Sequence, residues 1–190
     1  MSDSRLKARR RLRVMVAIVV ALIVAVVIAD RAGAFGYRGD DYARFDRARV
    51  NASNIISGDT FLAASIGEVH LLGADASAKH WSVESKRYLE ARLRDRSITL
   101  KLDGTQTRDE QGRLLAYVYI TDNDCLNVDI VRDAQAFADR RIKHTLKSAI
   151  ELAENEARKK KRGLWRDLTD EQQPAWRLEW LRARRVGPKT

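Results

Sequence analysis

Cysteine and histidine are scarce in this sequence of 190 residues. A single cysteine, Cys125, excludes an internal disulfide framework and any zinc site built from several cysteines. Three histidines, His70, His80 and His144, leave little room for a metal centre built from histidines. The length allows one domain with a sizeable core, or at most two very small ones. A hydrophobic content of 45% and a charged content of 33% exclude a disordered chain and a multi-span membrane protein.

The formal net charge of +10 comes from the two ends of the chain. Residues 1–34 contain seven basic and two acidic residues, and residues 158–190 contain eleven and four. The middle, residues 35–157, contains eighteen basic and twenty acidic residues, so it lacks the basic excess that is usual in nucleic-acid-binding domains. A basic face would have to come from the C-terminal segment, and the charge alone is weak evidence for a nucleic-acid partner.

The N-terminus has the pattern of a membrane anchor. Six basic residues between Arg5 and Arg13 precede an uninterrupted apolar run over residues 14–29. Sixteen helical residues span about 24 Å, slightly less than a hydrocarbon core of about 30 Å, and flanking arginines can reach the interface. We therefore expect a single-pass transmembrane helix.

A cleaved secretory signal is the alternative, because Ala32-Gly33-Ala34 fits the cleavage pattern. In both cases the positive-inside rule predicts a C-terminal domain on the non-cytoplasmic side, secreted if cleavage follows Ala34.

Short β-type runs and amphipathic segments follow in an order typical of a small barrel. Five runs predict strands, near residues 48–56, 59–65, 69–72, 98–102 and 114–120. Helical patterns occur at residues 82–94, 127–137 and 144–162. One helix between the third and fourth strands, with the others after the fifth, predicts an α+β fold with a five-stranded Greek-key β-barrel of the OB type.

This pattern divides the chain into four parts. They are a basic segment with the anchor (1–34), a linker (35–46), the barrel domain (47–166) and a basic, tryptophan-containing tail (167–190). In the tail, Thr169 and Gln172 could form a capping box before a helix that carries Trp176 and Trp180. We expect this helix to pack on the barrel, and contact with anionic lipid is the alternative.

Five short motifs occur in the order seen in thermonucleases. They are Ser57-Gly58-Asp59-Thr60, His70-Leu71-Leu72-Gly73-Ala74-Asp75, Arg108-Asp109-Glu110-Gln111-Gly112-Arg113-Leu114-Leu115-Ala116-Tyr117-Val118-Tyr119, Leu126-Asn127, and Ala157-Arg158 with Gly163-Leu164-Trp165. Over about residues 45–166 the chain resembles the staphylococcal-nuclease-like (thermonuclease) family.

The resemblance implies a Ca²⁺-dependent phosphodiesterase that acts on DNA or RNA. Asp59 and Asp75 match the two calcium aspartates, and Ala76 could offer the backbone carbonyl. Arg113 matches the second of two phosphate-binding arginines, and His70 stands at the first. These residues also have ordinary structural readings: Asp59 as a turn residue, Asp75 as a strand-end residue, Arg113 paired with a nearby acid, and His70 packed in the barrel.

The match is incomplete where the chemistry is most demanding. Ala78 stands at the position of the glutamate that activates water, and His70 cannot form the two-pronged contact of an arginine. The stretch matching the nucleotide-stacking tyrosines reads Asp139-Arg140-Arg141-Ile142. We therefore expect a degenerate site with weak or no activity, unless another acidic side chain lies beside residue 78 and faces the aspartates.

Two functions follow from this pattern. The first is a membrane-tethered, thermonuclease-like module that binds nucleic acid or has a structural role, and the alternative is a slow Ca²⁺-dependent nuclease that uses Asp59, Asp75, Arg113 and His70. Nucleic-acid contacts would come from Arg140, Arg141, Lys159, Lys160 and Lys161. The basic run 158–162 can equally be a solvated helix end.

Overall fold

A computed structural model describes residues 2–31, 39–104 and 106–185. The strands are β1 (Arg49–Ile55), β2 (Thr60–Ala63), β3 (Gly67–Leu71), β4 (Ala74–Asp75), β5 (Ser97–Lys101), β6 (Leu114–Thr121), β7 (Asp124–Cys125) and β8 (Phe137–Ala138). The helices are α1 (Ser2–Arg31), α2 (Gly39–Phe45), α3 (Ser82–Leu93), α4 (Leu126–Arg132), α5 (Lys147–Lys159) and α6 (Ala175–Arg185). Short 3₁₀ turns occupy Lys79–Trp81, Gly163–Trp165 and Asp170–Gln172.

Five strands close into a barrel. They are ordered β3-β2-β1-β5-β6, with antiparallel pairing between neighbours. Strand β3 also pairs in parallel with β6, with Val69 opposite Leu114, so the two outer strands join. Because α3 lies between β3 and β5, and α4, α5 and α6 follow β6, the predicted OB-type barrel is confirmed.

The barrel core explains the apolar pattern of β6. Its inward residues, among them Leu114 and Val118, belong to the main core, while Leu115 and Tyr117 pack with Leu72 in a second cluster on the other face. Burial of each large apolar side chain contributes about 1.5–3 kcal/mol. Because β6 is covered on both faces, apolar and polar residues do not alternate along it.

Helix α4 is attached to the barrel by Asn127, whose side chain is fully buried. Its amide nitrogen donates to the carbonyl oxygens of Leu72 at 2.9 Å and Ala116 at 3.0 Å. Its amide oxygen accepts the N–H of Val118 at 2.8 Å. The helix predicted over 127–137 ends earlier, at Arg132, because the chain turns back through left-handed backbone (φ 57° at residue 134) to form β8.

The segment predicted as a linker, 35–46, contains helix α2. Asp41, only 2% exposed, accepts Nε of Arg108 at 2.9 Å and Nη2 of the same guanidinium at 2.8 Å. This two-pronged pair joins α2 to the loop that leads to Arg113.

Helix α1 includes the apolar run 14–29. The large apolar side chains described between residues 14 and 26 are 49–61% exposed. Among the residues that the structure describes, no helix is both long and apolar enough to cross a membrane, so the predicted transmembrane helix is not shown. The cleavage pattern at 32–34 lies outside the described residues.

The C-terminal tail packs on the domain, as expected. The predicted capping box is formed, with the N–H of Thr169 donating to Oε1 of Gln172 at 2.9 Å. Helix α6 begins after this turn, and its Arg177 is only 1% exposed.

Candidate functional site

The two aspartates that match calcium ligands lie side by side at one edge of the barrel. Gly58 brings the β1–β2 turn against α3, where an added Cβ would overlap Ser85 and lie 2.8 Å from Cβ of Ala76. This close approach allows the N–H of Ala76 to donate to Asp59 at 2.7 Å. Asp75, the last residue of β4, directly precedes Ala76, so the turn and the strand end lie at the same edge.

Both oxygens of Asp59 accept hydrogen bonds from the protein. Oδ1 accepts the hydroxyls of Ser57 at 2.7 Å and Thr60 at 2.9 Å, and Oδ2 accepts the N–H of Ala76. Burial alone would raise the pKa of Asp59, but the nearby charge of His70 and these hydrogen bonds outweigh it and hold the pKa below its usual value. Asp59 is therefore an ionised side chain, and both of its oxygens are engaged with the protein.

The carboxylate of Asp75 is equally occupied. Oδ1 accepts the N–H of Ser77 at 2.8 Å. Oδ2 accepts Nη2 of Arg141 at 2.9 Å and the indole N–H of Trp176 at 2.6 Å. The tryptophan comes from α6, 101 residues along the chain from Asp75, and its part in the site has no local signal in the sequence.

A third carboxylate, Asp139, belongs to the same edge. Its N–H donates to the carbonyl of Gly73 at 2.9 Å, next to the pairing of β8 with β4. Both of its oxygens accept Nε of Arg141, at 2.9 and 3.2 Å, and Oδ2 also accepts Nη2 at 2.7 Å. These hydrogen bonds to Asp139 raise the pKa of Arg141. Asp139 thus adds an acidic side chain that shares Arg141 with Asp75, and it is held in an ion pair rather than placed beside residue 78.

Thr60 connects the two candidate phosphate-binding residues. Its hydroxyl lies 2.9 Å from Nδ1 of His70 and accepts Nη1 of Arg113 at 3.2 Å. The main partner of Arg113 is Asp109, whose Oδ2 accepts Nε at 2.6 Å, as the structural reading of this arginine predicts. His70 is 8% exposed, and its Nδ1 lies 3.6 Å from Asp59. The structure therefore brings Asp59, His70 and Arg113 together.

The position of the missing glutamate is closed. Ala78 is 1% exposed and packs in an apolar cluster with Phe137 and Leu164. No titratable group faces the aspartates from this position.

The residues present do not fit a calcium ion as they stand. Calcium takes about 6–8 oxygen ligands, whereas the oxygens of Asp59 and Asp75 already accept N–H and O–H donors. Within the described part of the chain, no group of three histidine, cysteine, aspartate or glutamate side chains could hold a metal ion. Ala76 contributes its N–H to Asp59, and this contact stabilises the turn.

The predicted nucleic-acid contacts separate into two groups. The side chain of Arg140 is 7% exposed and donates to Glu151 at 3.1 Å and to Glu154 at 2.7 Å, and Arg141 is engaged with two aspartates. The remaining candidates are exposed and form no ion pair among the described residues. They are Lys159, Lys160 and Lys161, at the end of α5.

Comparison with protein families gives one match, to a model described as staphylococcal nuclease homologue, over residues 64–167. The match covers more than half of the chain and contains the barrel from β3 onward with α3, α4 and α5. Asp59 and Trp176 lie outside it. No curated protein matches the chain.

Proposed function

Because the chain belongs to the staphylococcal nuclease homologue family, we propose that it is a nuclease-family domain that has lost calcium-dependent hydrolysis and serves as a nucleic-acid-binding module. One observation carries the proposal: the oxygens of Asp59 and Asp75 accept protein hydrogen bonds while Ala78 supplies no base.

The expected loss of rate is large. A positioned general base contributes about 10²–10⁴-fold to a proton transfer, and Ala78 has no group that could act as one. His70 offers at most one free ring nitrogen once Nδ1 contacts Thr60, so it cannot form the parallel pair of hydrogen bonds that a guanidinium gives to phosphate. The missing base and the missing guanidinium would both stabilise the transition state more than the bound substrate, so the loss of each lowers the rate of hydrolysis.

A groove beside the aspartate edge is the proposed path of the nucleic acid. It has a volume of about 460 Å³ and lies between the β1–β2 turn and α3, with Gly58 and Ala76 at one wall. Lys86 and Arg87 line the opposite wall together with Glu90, and neither cation has an ion-pair partner among the described residues. Unpaired cations that face an open groove favour a phosphate backbone, with binding that weakens as salt rises.

The test is binding and cleavage measured on the same samples of full-length chain in detergent. Labelled single-stranded DNA and RNA are titrated in EDTA and in Ca²⁺, with fluorescence anisotropy for binding and gel electrophoresis for cleavage. We expect salt-sensitive binding in both buffers and no cleavage. The double variant Lys86→Gln/Arg87→Gln should weaken binding about 10-fold, the effect of 1.4 kcal/mol. The charge-matched control Arg96→Gln/Lys101→Gln should leave binding unchanged.

Two results would refute the proposal. If the chain bound neither DNA nor RNA, it would not be a nucleic-acid-binding module. Calcium-dependent cleavage that Asp59→Ala abolishes would establish the alternative, a slow nuclease using Asp59, Asp75, Arg113 and His70. That alternative is supported by the contact of Thr60 with both His70 and Arg113.

We further propose that residues 14–29 tether this domain to a membrane, with the domain on the non-cytoplasmic side. The support is the run of exposed apolar side chains in α1, which follows a basic segment. After alkaline carbonate extraction the chain should stay with the membrane fraction. Replacing Val20 and Ile23 by aspartate should release it, whereas release of the unaltered chain by carbonate would refute the tether.

A further inference from the structure

One guanidinium lies between two carboxylates at the barrel edge. Nη2 of Arg141 is 2.9 Å from Oδ2 of Asp75 and 2.7 Å from Oδ2 of Asp139. The side chains of the two aspartates are only 7% and 9% exposed, so water screens their mutual repulsion poorly. A cation at this point therefore offsets the repulsion between the two buried carboxylates.

Trp176 contacts both partners of this ion pair. Its indole N–H donates to the same Oδ2 of Asp75, at 2.6 Å, and its ring lies under the guanidinium of Arg141, 4.8 Å from the carbon at its centre. A cation over an indole ring is attracted by the negative face of the ring. Helix α6 is thus attached to the aspartate edge through the cation as well as through the carboxylate.

We infer that Arg141 takes the place of a divalent cation at this edge. Its guanidinium supplies the positive charge between Asp75 and Asp139, and the same group holds α6 through Trp176. Calcium and Arg141 then compete for one oxygen, Oδ2 of Asp75. The inference deepens the proposed loss of calcium dependence, but its test uses no nucleic acid, and either can fail while the other holds.

The geometry of the guanidinium suits this role. A planar fork can donate to two carboxylates at once and keep its charge at every working pH, whereas a single lysine ammonium is more strongly hydrated. In Arg141, Nε and Nη2 face Asp139 while Nη2 also reaches Asp75. One side chain therefore donates to three carboxylate oxygens, both of Asp139 and Oδ2 of Asp75.

The experiment measures the melting temperature of the full-length chain in detergent by tryptophan fluorescence, in EDTA, millimolar Ca²⁺ and millimolar Mg²⁺. We expect the unaltered chain to melt within about 1 °C in all three buffers. Arg141→Gln should melt about 4–8 °C lower in EDTA, and Ca²⁺ should restore at least half of that loss. The exposed arginine variant Arg166→Gln is the control, and it should match the unaltered chain in every buffer.

The remaining outcomes each decide the question. A rise of several degrees in the unaltered chain with Ca²⁺ would show that the edge takes the metal with Arg141 present, which overturns the inference. The inference is also overturned if Arg141→Gln loses no stability, or if its loss of stability does not recover in Ca²⁺. Arg141 would then be an ordinary salt-bridge residue. If that variant is unfolded in EDTA, refolding on addition of Ca²⁺ supports the inference and failure to refold contradicts it.

Discussion

Replacement of Glu154 by glutamine should destabilise the domain by removing the charge at its most buried ion pair. Glu154 in α5 is 0% exposed, and Oε1 accepts the N–H of Ala138 at 3.0 Å and Nη1 of Arg177 at 2.8 Å. Oε2 accepts Nη2 of Arg140 at 2.7 Å. The variant keeps the shape of the side chain, leaves Arg177 without the counter-charge of Glu154, and leaves Arg140 with Glu151 alone.

The magnitude follows from how little water reaches these arginines. Arg177 is 1% exposed, between the rings of Phe137 and Trp165 at 4.8 and 5.0 Å. Burial lowers the pKa of Arg177 despite the charge of Glu154, which supplies the counter-charge that water cannot provide here. Removal of one member of a buried pair costs about 3–5 kcal/mol, which for a chain of this size lowers the melting temperature by about 6–20 °C.

The assay is thermal and urea unfolding of the full-length chain in detergent, followed by tryptophan fluorescence. Glu151→Gln is the matched control, because Glu151 also pairs with Arg140 but its side chain is 32% exposed. Partly exposed pairs contribute about 0–1 kcal/mol, so the control should shift melting by at most a few degrees. Equal losses in the two variants would refute the claim that Glu154 anchors α6.

Three further predictions concern the barrel and its edge. Asn127→Ala should cost about 2–5 kcal/mol in urea unfolding, because the carbonyl of Leu72 and the N–H of Val118 both lose their bond to this buried amide; a loss below about 1 kcal/mol would contradict this. Burial lowers the pKa of His144 in the folded chain. As the pH falls below about 6.5, His144 is therefore protonated in the unfolded chain before it is protonated in the folded one, and the stability of the fold should decrease. His144→Gln should flatten that part of the melting-temperature profile, and an unchanged slope would count against it. His70→Arg with Ala78→Glu should lower the melting temperature without restoring cleavage, since residue 78 lies in an apolar cluster; calcium-dependent cleavage by this variant would show that the carboxylate reaches the edge.

The barrel could be predicted from the sequence because its signals are local. Each signal lies within one element and its flanks. Examples are the alternation of apolar and polar residues around Ile98 and Leu100, the turn at Gly58 and the helix stop signal at Gly163. The order of strands and helices then leaves few alternatives to an OB-type closure. The same local reasoning missed helix α2, because its burial depends on a pair between Asp41 and Arg108 that lie 67 positions apart.

The candidate site was predicted only in part for the same reason. Asp59, His70 and Arg113 were found because they stand at motif positions, and the structure brings them together at Thr60. Asp139 and Arg141 stand at the positions of the stacking residues, and no spacing rule indicates that Arg141 reaches Asp75 from the segment after β8. Trp176 was expected only to pack on the barrel.

Docking of α6 and binding of a metal ion at Asp75 oppose each other by thermodynamic necessity. Trp176 and Arg141 both donate to Oδ2 of Asp75, so an ion that binds this oxygen displaces at least one of them. If the ion binds more tightly to the chain with α6 undocked, by some factor, then docking of α6 must lower the affinity for the ion by the same factor. Helix α6 also has a second attachment, through Arg177 to Glu154, which adds to its docking free energy without touching the edge. Under the competition that we infer, the ion must overcome both attachments, so the proposed exclusion of calcium depends on contacts that lie partly outside the site itself.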